Sequence, residues 1–510
     1  MFGEGMKFKT KSIDISSMAF KNVVLVHHKD MAKLGIKAHD RLLIEYNNRQ
    51  VSAIVDITRS FIEPGYIGLY KSVVDTLDVP DATEVDVSLT SSPDSIKFIQ
   101  KKMRDKVPYS QNEIRSILTD IYNRDLSAIE ISVFLLTQEY IPMSMDEIEY
   151  LTREMVELGD KIDWGEDTVY TKHSIGGVPG NKVSLLIVPI VAAYGLLIPK
   201  ISTRAITSPA GTADTMEIFA PIAFSANEIK EMALKTKGVV CWGGKLDLSP
   251  VDSIISAVES MLNLDPEPQI LASILSKQLA LGVNKMVLDL PQGYHTKMET
   301  IEDARRFSHK FIQLADRIEI QLECGITYGS QPVGYNIGPA LEAQEALETL
   351  MGRGPNSLIE KSLELSGILI ELSGRVKRGQ GADFAKQILE SGKALKKFRE
   401  IIEIQGGNPD IKPEDIAVGE YTFNYPVEMD GYVKRISNDI IKRIARAAGA
   451  PKFAGAGIKL YVKEGHKVSE GANLFTIYAE SEENLSNALK LLEDQSPIYI
   501  ESMLLDRIGK

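Results

Sequence analysis

The sequence predicts a multidomain α/β protein with a β-rich N-terminal domain, a helical domain, a central α/β phosphate-binding domain and a C-terminal α+β domain. Three observations predict it. Short β-prone runs separated by turns fill residues 1 to 88, the period becomes helical from Ser95, and from Asp167 strand-like and helix-like runs alternate through glycine-rich turns. With 510 residues, the chain is long enough for roughly two to four domains with cores of their own.

The N-terminal run (1–88) offers β-prone stretches at 23–26, 41–46, 51–55, 68–70 and 85–87, with Asn47-Asn48-Arg49 as a hairpin signal between two of them. Its histidines, His27, His28 and His39, stand among surface-type residues and form no catalytic group. The linker Thr90-Ser91-Ser92-Pro93-Asp94 ends it. Helices are expected near 95–106, 111–123, 127–140 and 145–160, from acids early and Asn or Gly late in several of them. These make a helical domain, 95–165, which part of 245–280 joins. The central domain spans 166–335. A helical segment and the α+β domain follow over 336–510, opening on an amphipathic helix near 339–351 and ending in a compact β-rich body around 457–477.

Two loops in the central domain carry the chemistry. Thr168-Val169-Tyr170-Thr171 reads as a strand, Lys172-His173-Ser174-Ile175-Gly176-Gly177 as a turn, and the apolar run from Val183 as a buried helix. Such a turn lets backbone approach an anion and aims helix N–H groups at it. Lys172 adds a point charge and Ser174 a neutral donor. The pattern repeats: strand Pro199-Lys200-Ile201, donors Ser202, Thr203, Thr207, Ser208 and Thr212, cation Arg204, then a helix from Ala213. Neither loop has Walker spacing, since Lys182 is followed by Val183, and no strand-following G-x-G-x-x-G is present. Two tandem cradles point to a substrate or substrates carrying phosphate.

Elsewhere, Asp265-Pro266 reads as a helix start with the aspartate at the N-cap, and Ser273 and Lys277 share a face of that helix at i, i+4. Lys297 follows a strand at 285–290 and a glycine turn at Gly293.

The K-H-S-x-G-G loop, the I-S-x-R segment and the Gly-Thr loop resemble the thymidine and pyrimidine-nucleoside phosphorylase family, and Arg204-Ala205-Ile206-Thr207-Ser208-Pro209-Ala210-Gly211-Thr212 resembles its archaeal AMP phosphorylase branch. For that branch the resemblance covers the whole chain. It implies a pentosyltransferase that cleaves AMP with inorganic phosphate into adenine and ribose 1,5-bisphosphate, with CMP and UMP as further candidates and no cofactor. By the same resemblance, Lys172, Ser174, Ser184 and Ser202 hold phosphate. Gly177, Thr203, Arg204, Ala205, Ile206, Thr207, Ser208 and Thr212 line the nucleotide. Ser273 and Lys277, within the motif Ala272-Ser273-Ile274-Leu275-Ser276-Lys277, contact the base; Lys297 contacts the nucleotide; and Asp265 is the proton donor. The N-terminal extension implies a homodimer or larger homo-oligomer. One departure stands out: the arginine with which pyrimidine enzymes hold the base is missing, its stretch here being Ala257-Val258-Glu259-Ser260.

Bulk properties narrow the rest. A net charge of −12 argues against nucleic acid and anionic membrane as partners, so an anionic substrate needs a local cation cluster. Cys241 and Cys324 suit neither a disulfide framework nor zinc, and His173 and His295 lack partners at ligand spacing, so no metal is expected. The start Met1-Phe2-Gly3-Glu4-Gly5-Met6-Lys7 has no signal-peptide core, and the longest apolar run, broken by Pro189 and Gly195, is shorter than the ~20 residues of a membrane span. The expectation is a cytoplasmic enzyme. A pyrimidine nucleoside phosphorylase acting on uridine or thymidine and a non-catalytic nucleotide sensor stand as alternatives.

Overall fold

The computed structural model describes residues 6–15, 22–165, 168–205, 208–504 and 508. The chain divides into two compact units, residues 1–160 with 248–280, and residues 161–247 with 281–510.

The first unit contains a closed barrel in which Met6–Ile13, Tyr66–Tyr70, Val23–His27, Arg49–Thr58, Arg41–Tyr46 and Glu84–Thr90 follow one another and the last returns to the first. The hairpin at Asn47-Asn48 has both residues at positive φ, 47° and 63°, the two-residue turn whose twist matches the flanking strands. Met6–Ile13 is a strand that sequence reading passed over, because Lys7, Lys9 and Lys11 match its apolar residues in number; Phe8 nevertheless joins the barrel core, and Ile13, on the other face, packs with Leu25 and Ile62. His27 corrects the surface reading of the histidines. It ends a wholly buried strand, with Nε2 3.1 Å from the Arg59 carbonyl.

Two short helices, Met31–Leu34 and Lys71–Leu77, lie within the barrel's sequence, and six more complete this unit: Asp94–Asp105, Gln111–Tyr122, Ala128–Tyr140, Met145–Glu157, Pro250–Leu262 and Glu267–Ala280. Ser110, Ser127 and Ser144 start three of them through capping boxes with Glu113, Glu130 and Glu147, satisfying amides the first helical turn leaves open. Ile114, Ile117, Leu118, Phe134 and Leu151 meet Ile255, Val258 and Ala272 in one core.

In the second unit, Gln321–Tyr328, Lys285–Gln292 and Tyr170–Ser174 form a parallel sheet, and Ile198–Ser202 pairs in parallel with Gly238–Trp242. A parallel bridge between Val169 and Leu197 joins the two sheets. The helix Ser184–Ala193 is buried from Ser184 to Ala192, as a helix apolar on all sides must be. Pro339–Leu350, expected to be amphipathic, is nearly all buried too, with Glu342 and Glu345 inside. Glu345 is there because Lys182 reaches it. The chain ends in two small antiparallel sheets, of four and three strands, with the helices Asn438–Ala447 and Glu482–Asp494.

Candidate active site

Register places the chemistry of the second unit on one sheet face. Lys172 pairs with Val287 and Ser174 with Asp289, so Lys172, Ser174 and Asp289 project the same way. Asp289 is fully buried within the apolar strand, and five groups hold it. Lys361 Nζ lies 3.1 Å and Lys172 Nζ 3.6 Å from its Oδ2; Ser174 Oγ and Asn181 Nδ2 each donate to that oxygen at 3.0 Å. Thr327 Oγ1 donates to Oδ1 at 2.6 Å. Burial works against the charge of Asp289, yet Lys361 and Lys172 hold its carboxyl down at about 2. Burial pushes Lys172 down to about 8 although Asp289 opposes this, and it lowers Lys361 likewise.

From this anchor the first loop leaves the sheet. Gly176 donates its amide to Ser174 Oγ, and Gly176, Gly177 and Gly180 all have positive φ. At Gly180 a side chain would meet the Val333 carbonyl at 2.5 Å, so only glycine fits the turn. Gly177 is exposed, and the Lys297 backbone packs beside it, which brings Lys297 to this loop. Ser184 is buried as the first residue of the following helix.

The second loop follows Ile198–Ser202. Asp214 Oδ2 ties it together, accepting from the amides of Ala205 at 2.8 Å and Gly211 at 2.9 Å. Thr212 opens the short helix Thr212–Met216. Ser202 and Ser208 bond to nearby carbonyls, those of Thr203 and Ala210. Thr203 is exposed. Arg204 pairs with Glu217 through both terminal nitrogens and lies 5.2 Å from the Trp242 ring. Ile206 and Thr207 lie outside the described residues.

In the first unit, Ser273 and Lys277 do share a helix face, with Lys277 Nζ 3.2 Å from Ser273 Oγ. Lys277 also lies 2.6 Å from the buried carboxylate of Asp252. The helix bearing them starts at Glu267, and the Pro266 carbonyl accepts from the Ile270 amide. Asp265 is exposed, beside Pro266 at the start of this helix.

Family models match three stretches: a glycosyl transferase family helical bundle domain at residues 96–159, the a/b domain of that family at 166–395, and a pyrimidine nucleoside phosphorylase C-terminal domain at 432–499. The chain is 46% identical over 505 residues to an AMP phosphorylase of Thermococcus kodakarensis, covering 99% of this chain and 100% of that one. It is 45% identical over 506 residues to AMP phosphorylase 1 of Archaeoglobus fulgidus, covering 99% of both. The chain belongs to the family of these AMP phosphorylases. Family membership makes it a glycosyltransferase of the pentosyl-transferring kind. Anthranilate phosphoribosyltransferase from Thermus thermophilus shares the fold, at 16% identity and a TM-score of 0.51, over 61% of this chain and 99% of that one.

Sequence reading missed the centre of this family member's cluster: Asp289, Asn181, Thr327 and Lys361. Asp289 had a visible signal, a lone acid inside the apolar run Met286 to Leu290. Lys361 had none, because its helix shows charged residues on several faces and only the fold reveals which one is buried.

Proposed function

We propose that this chain carries out phosphorolysis of AMP, yielding adenine and ribose 1,5-bisphosphate, with CMP and UMP as further substrates. A phosphate oxygen attacks C1′ as the bond from C1′ to the base nitrogen breaks, and the base leaves with a proton. The observation that carries this reading is the glycine loop rooted in a buried cluster with more amines than carboxylates, Lys172 and Lys361 on Asp289. Such a cluster suits a phosphate dianion held against the positive charge developing on the sugar. The AMP phosphorylase relatives, at 45–46% identity over nearly the full length, support the choice of AMP.

The roles follow the sequence reading. Lys172, Ser174, Ser184 and Ser202 hold phosphate. Gly177, the 203–208 segment, Thr212 and Lys297 line the nucleotide, Ser273 and Lys277 contact the base, and Asp265 donates the proton. Asp289 is no candidate donor, because a carboxyl held at about 2 carries no proton near neutrality. We place the protein in the cytoplasm as a homo-oligomer; no described helix is long and apolar enough to cross a membrane.

A pyrimidine nucleoside phosphorylase is the second reading, favoured by the C-terminal domain match at 432–499. Incubation with phosphate and AMP, CMP, UMP or uridine, followed by separation of free base, decides. Adenine release that depends on phosphate is expected. Faster release of uracil from uridine would overturn the reading, and AMP binding without phosphate-dependent turnover would leave a nucleotide sensor.

A further inference from the structure

Lys200 stands out among the buried groups because no partner accounts for it. It lies in the strand Ile198–Ser202, only 6% exposed. The parallel bridge from Val169 to Leu197 sets the register, and three residues further along each strand come Lys172 and Lys200. Side chains at matched positions of neighbouring parallel strands point to the same face. Lys200 and Lys172 thus stand side by side, each two residues before a cradle serine, Ser202 and Ser174. Burial, with a smaller contribution from the charge of Lys172, lowers Lys200 to about 7.

The charged groups around it do not neutralise it. The strand Gly238–Trp242 on its other side and the helix Ser184–Ala193 carry no charged residue. Asp289 is shared by Lys172 and Lys361. In the loop beyond, Glu217 is held by Arg204, and Asp214 by two loop amides and Arg204. In the helix Ala226–Thr236, Glu228 is engaged in its own capping box, Glu231 is exposed, and Lys230 and Lys235 add no negative charge. Among the described residues, no acid or carbonyl pairs with the Lys200 amine. A buried cation without a counter-ion is costly, and a free amine there costs little only while it is neutral.

We propose that Lys200 is a second cation of the anion cradle, completed by the attacking phosphate, which it holds together with Lys172. This rests on the phosphorolysis reading. Before phosphate arrives, Lys200 is largely neutral above pH 7. The dianion supplies the missing counter-charge, and Lys200 takes up a proton as it binds.

The test compares wild type with Lys200→Met and Lys200→Arg. Inorganic phosphate binding is followed at pH 8.5 by calorimetry in buffers of different ionisation enthalpy, and the KM for phosphate during AMP turnover is measured alongside. Lys200→Met is expected to weaken phosphate by roughly 10- to 100-fold, the worth of a charge-assisted hydrogen bond, and to take up about one proton less than wild type. Lys200→Arg, always charged, is expected to keep phosphate affinity within a few-fold while losing the same proton. Unchanged phosphate affinity in Lys200→Met overturns the proposal. So does an effect on the KM for AMP alone, which would assign Lys200 to the nucleotide's own phosphate. If Lys200→Met fails to fold, Lys200→Arg with undiminished proton uptake is the overturning result. A wild type that binds phosphate with proton uptake but releases no adenine would sink the phosphorolysis reading and spare this one.

Discussion

Two buried lysine clusters in this protein differ in how their charges are met. In the helical region Lys102 is 2% exposed, and its amine lies 2.6 Å from Glu147 Oε1. That carboxylate also accepts the Tyr109 amide at 2.8 Å and, through its other oxygen, the Ser144 amide at 2.8 Å. One cation meets one anion, and the remaining lone pairs are occupied. At Asp289 a single oxygen is shared by Lys361 and Lys172, and Lys200, next to Lys172, pairs with no acid among the described residues. The first arrangement is complete without a ligand. The second is short of negative charge, which on the proposed function a phosphate dianion would supply.

The comparison bears first on the proton donor. Asp289 is held ionised by its lysines and so is not the acid for the leaving base; the proposed donor is Asp265. Asp265→Asn is expected to lower AMP turnover by roughly 10²- to 10⁴-fold, the usual worth of a positioned acid, while the melting temperature holds. The fold should tolerate it because Asp265 is exposed and asparagine caps a helix about as well as aspartate. The loss should shrink for a substrate with a better leaving base. Turnover near wild type in Asp265→Asn would remove it from the mechanism.

The second prediction tests the balanced cluster. Lys102→Met strands the buried Glu147 carboxylate and should destabilise the protein by about 3–5 kcal/mol, read as a lower melting temperature or denaturant midpoint. Well below that melting temperature, kcat and the KM for phosphate should match wild type. A phosphate KM that shifts while stability is unchanged would contradict the division between a structural and a ligand-binding pair.

How far these two clusters were legible in the sequence follows from the same physics. Helix starts are local, and Ser110, Ser127 and Ser144 with their glutamates three residues on are visible in the chain alone. The two loops were visible because glycines with flanking donors form a contiguous pattern, and Ser273 with Lys277 because helical spacing puts them on one face. Asp289 meeting Lys361 is a contact over 72 positions, set by the packing of a helix on a sheet, and no local pattern encodes it. The strand Met6–Ile13 was missed because it takes its place from closing the barrel, through Glu84–Thr90, rather than from its own hydrophobicity. The Lys277 partner Asp252, two residues into another helix, was missed for the reason that hid Lys361.

The third prediction contrasts with Lys102. Lys172→Met removes a desolvated cation from a site that retains Lys361 on Asp289, so stability should change little or rise. The loss should appear in catalysis, about 2–4 kcal/mol in kcat/KM for phosphate, the worth of one preorganised charge at a developing transition state. A Lys172→Met protein with ordinary phosphate dependence would return the first loop to a turn without function. One that melts far below wild type would make Lys172 a counterpart of Lys102.

The smallest effect is in pH dependence, and the two states give opposite signs. Lys172 is held at about 8 by burial, below the 10.5 of an unfolded lysine. Between those values the unfolded chain binds the extra proton, so this group makes the phosphate-free protein more stable as pH rises from about 8, by at most ~1.4 kcal/mol per unit. On the proposed function phosphate binding needs the charged amine, so the phosphate KM should rise over the same window, by up to about tenfold per unit from Lys172 and by as much again from Lys200, where inorganic phosphate is already dianionic. Saturating phosphate restores the counter-charge and lifts the Lys172 pKa toward its unfolded value, which should flatten the stability gain. Melting temperatures from pH 7.5 to 9.5, with and without phosphate, read this directly. Two parallel curves would mean that the amine does not sense the anion, and the charge deficit at Asp289 would then have no part in binding phosphate.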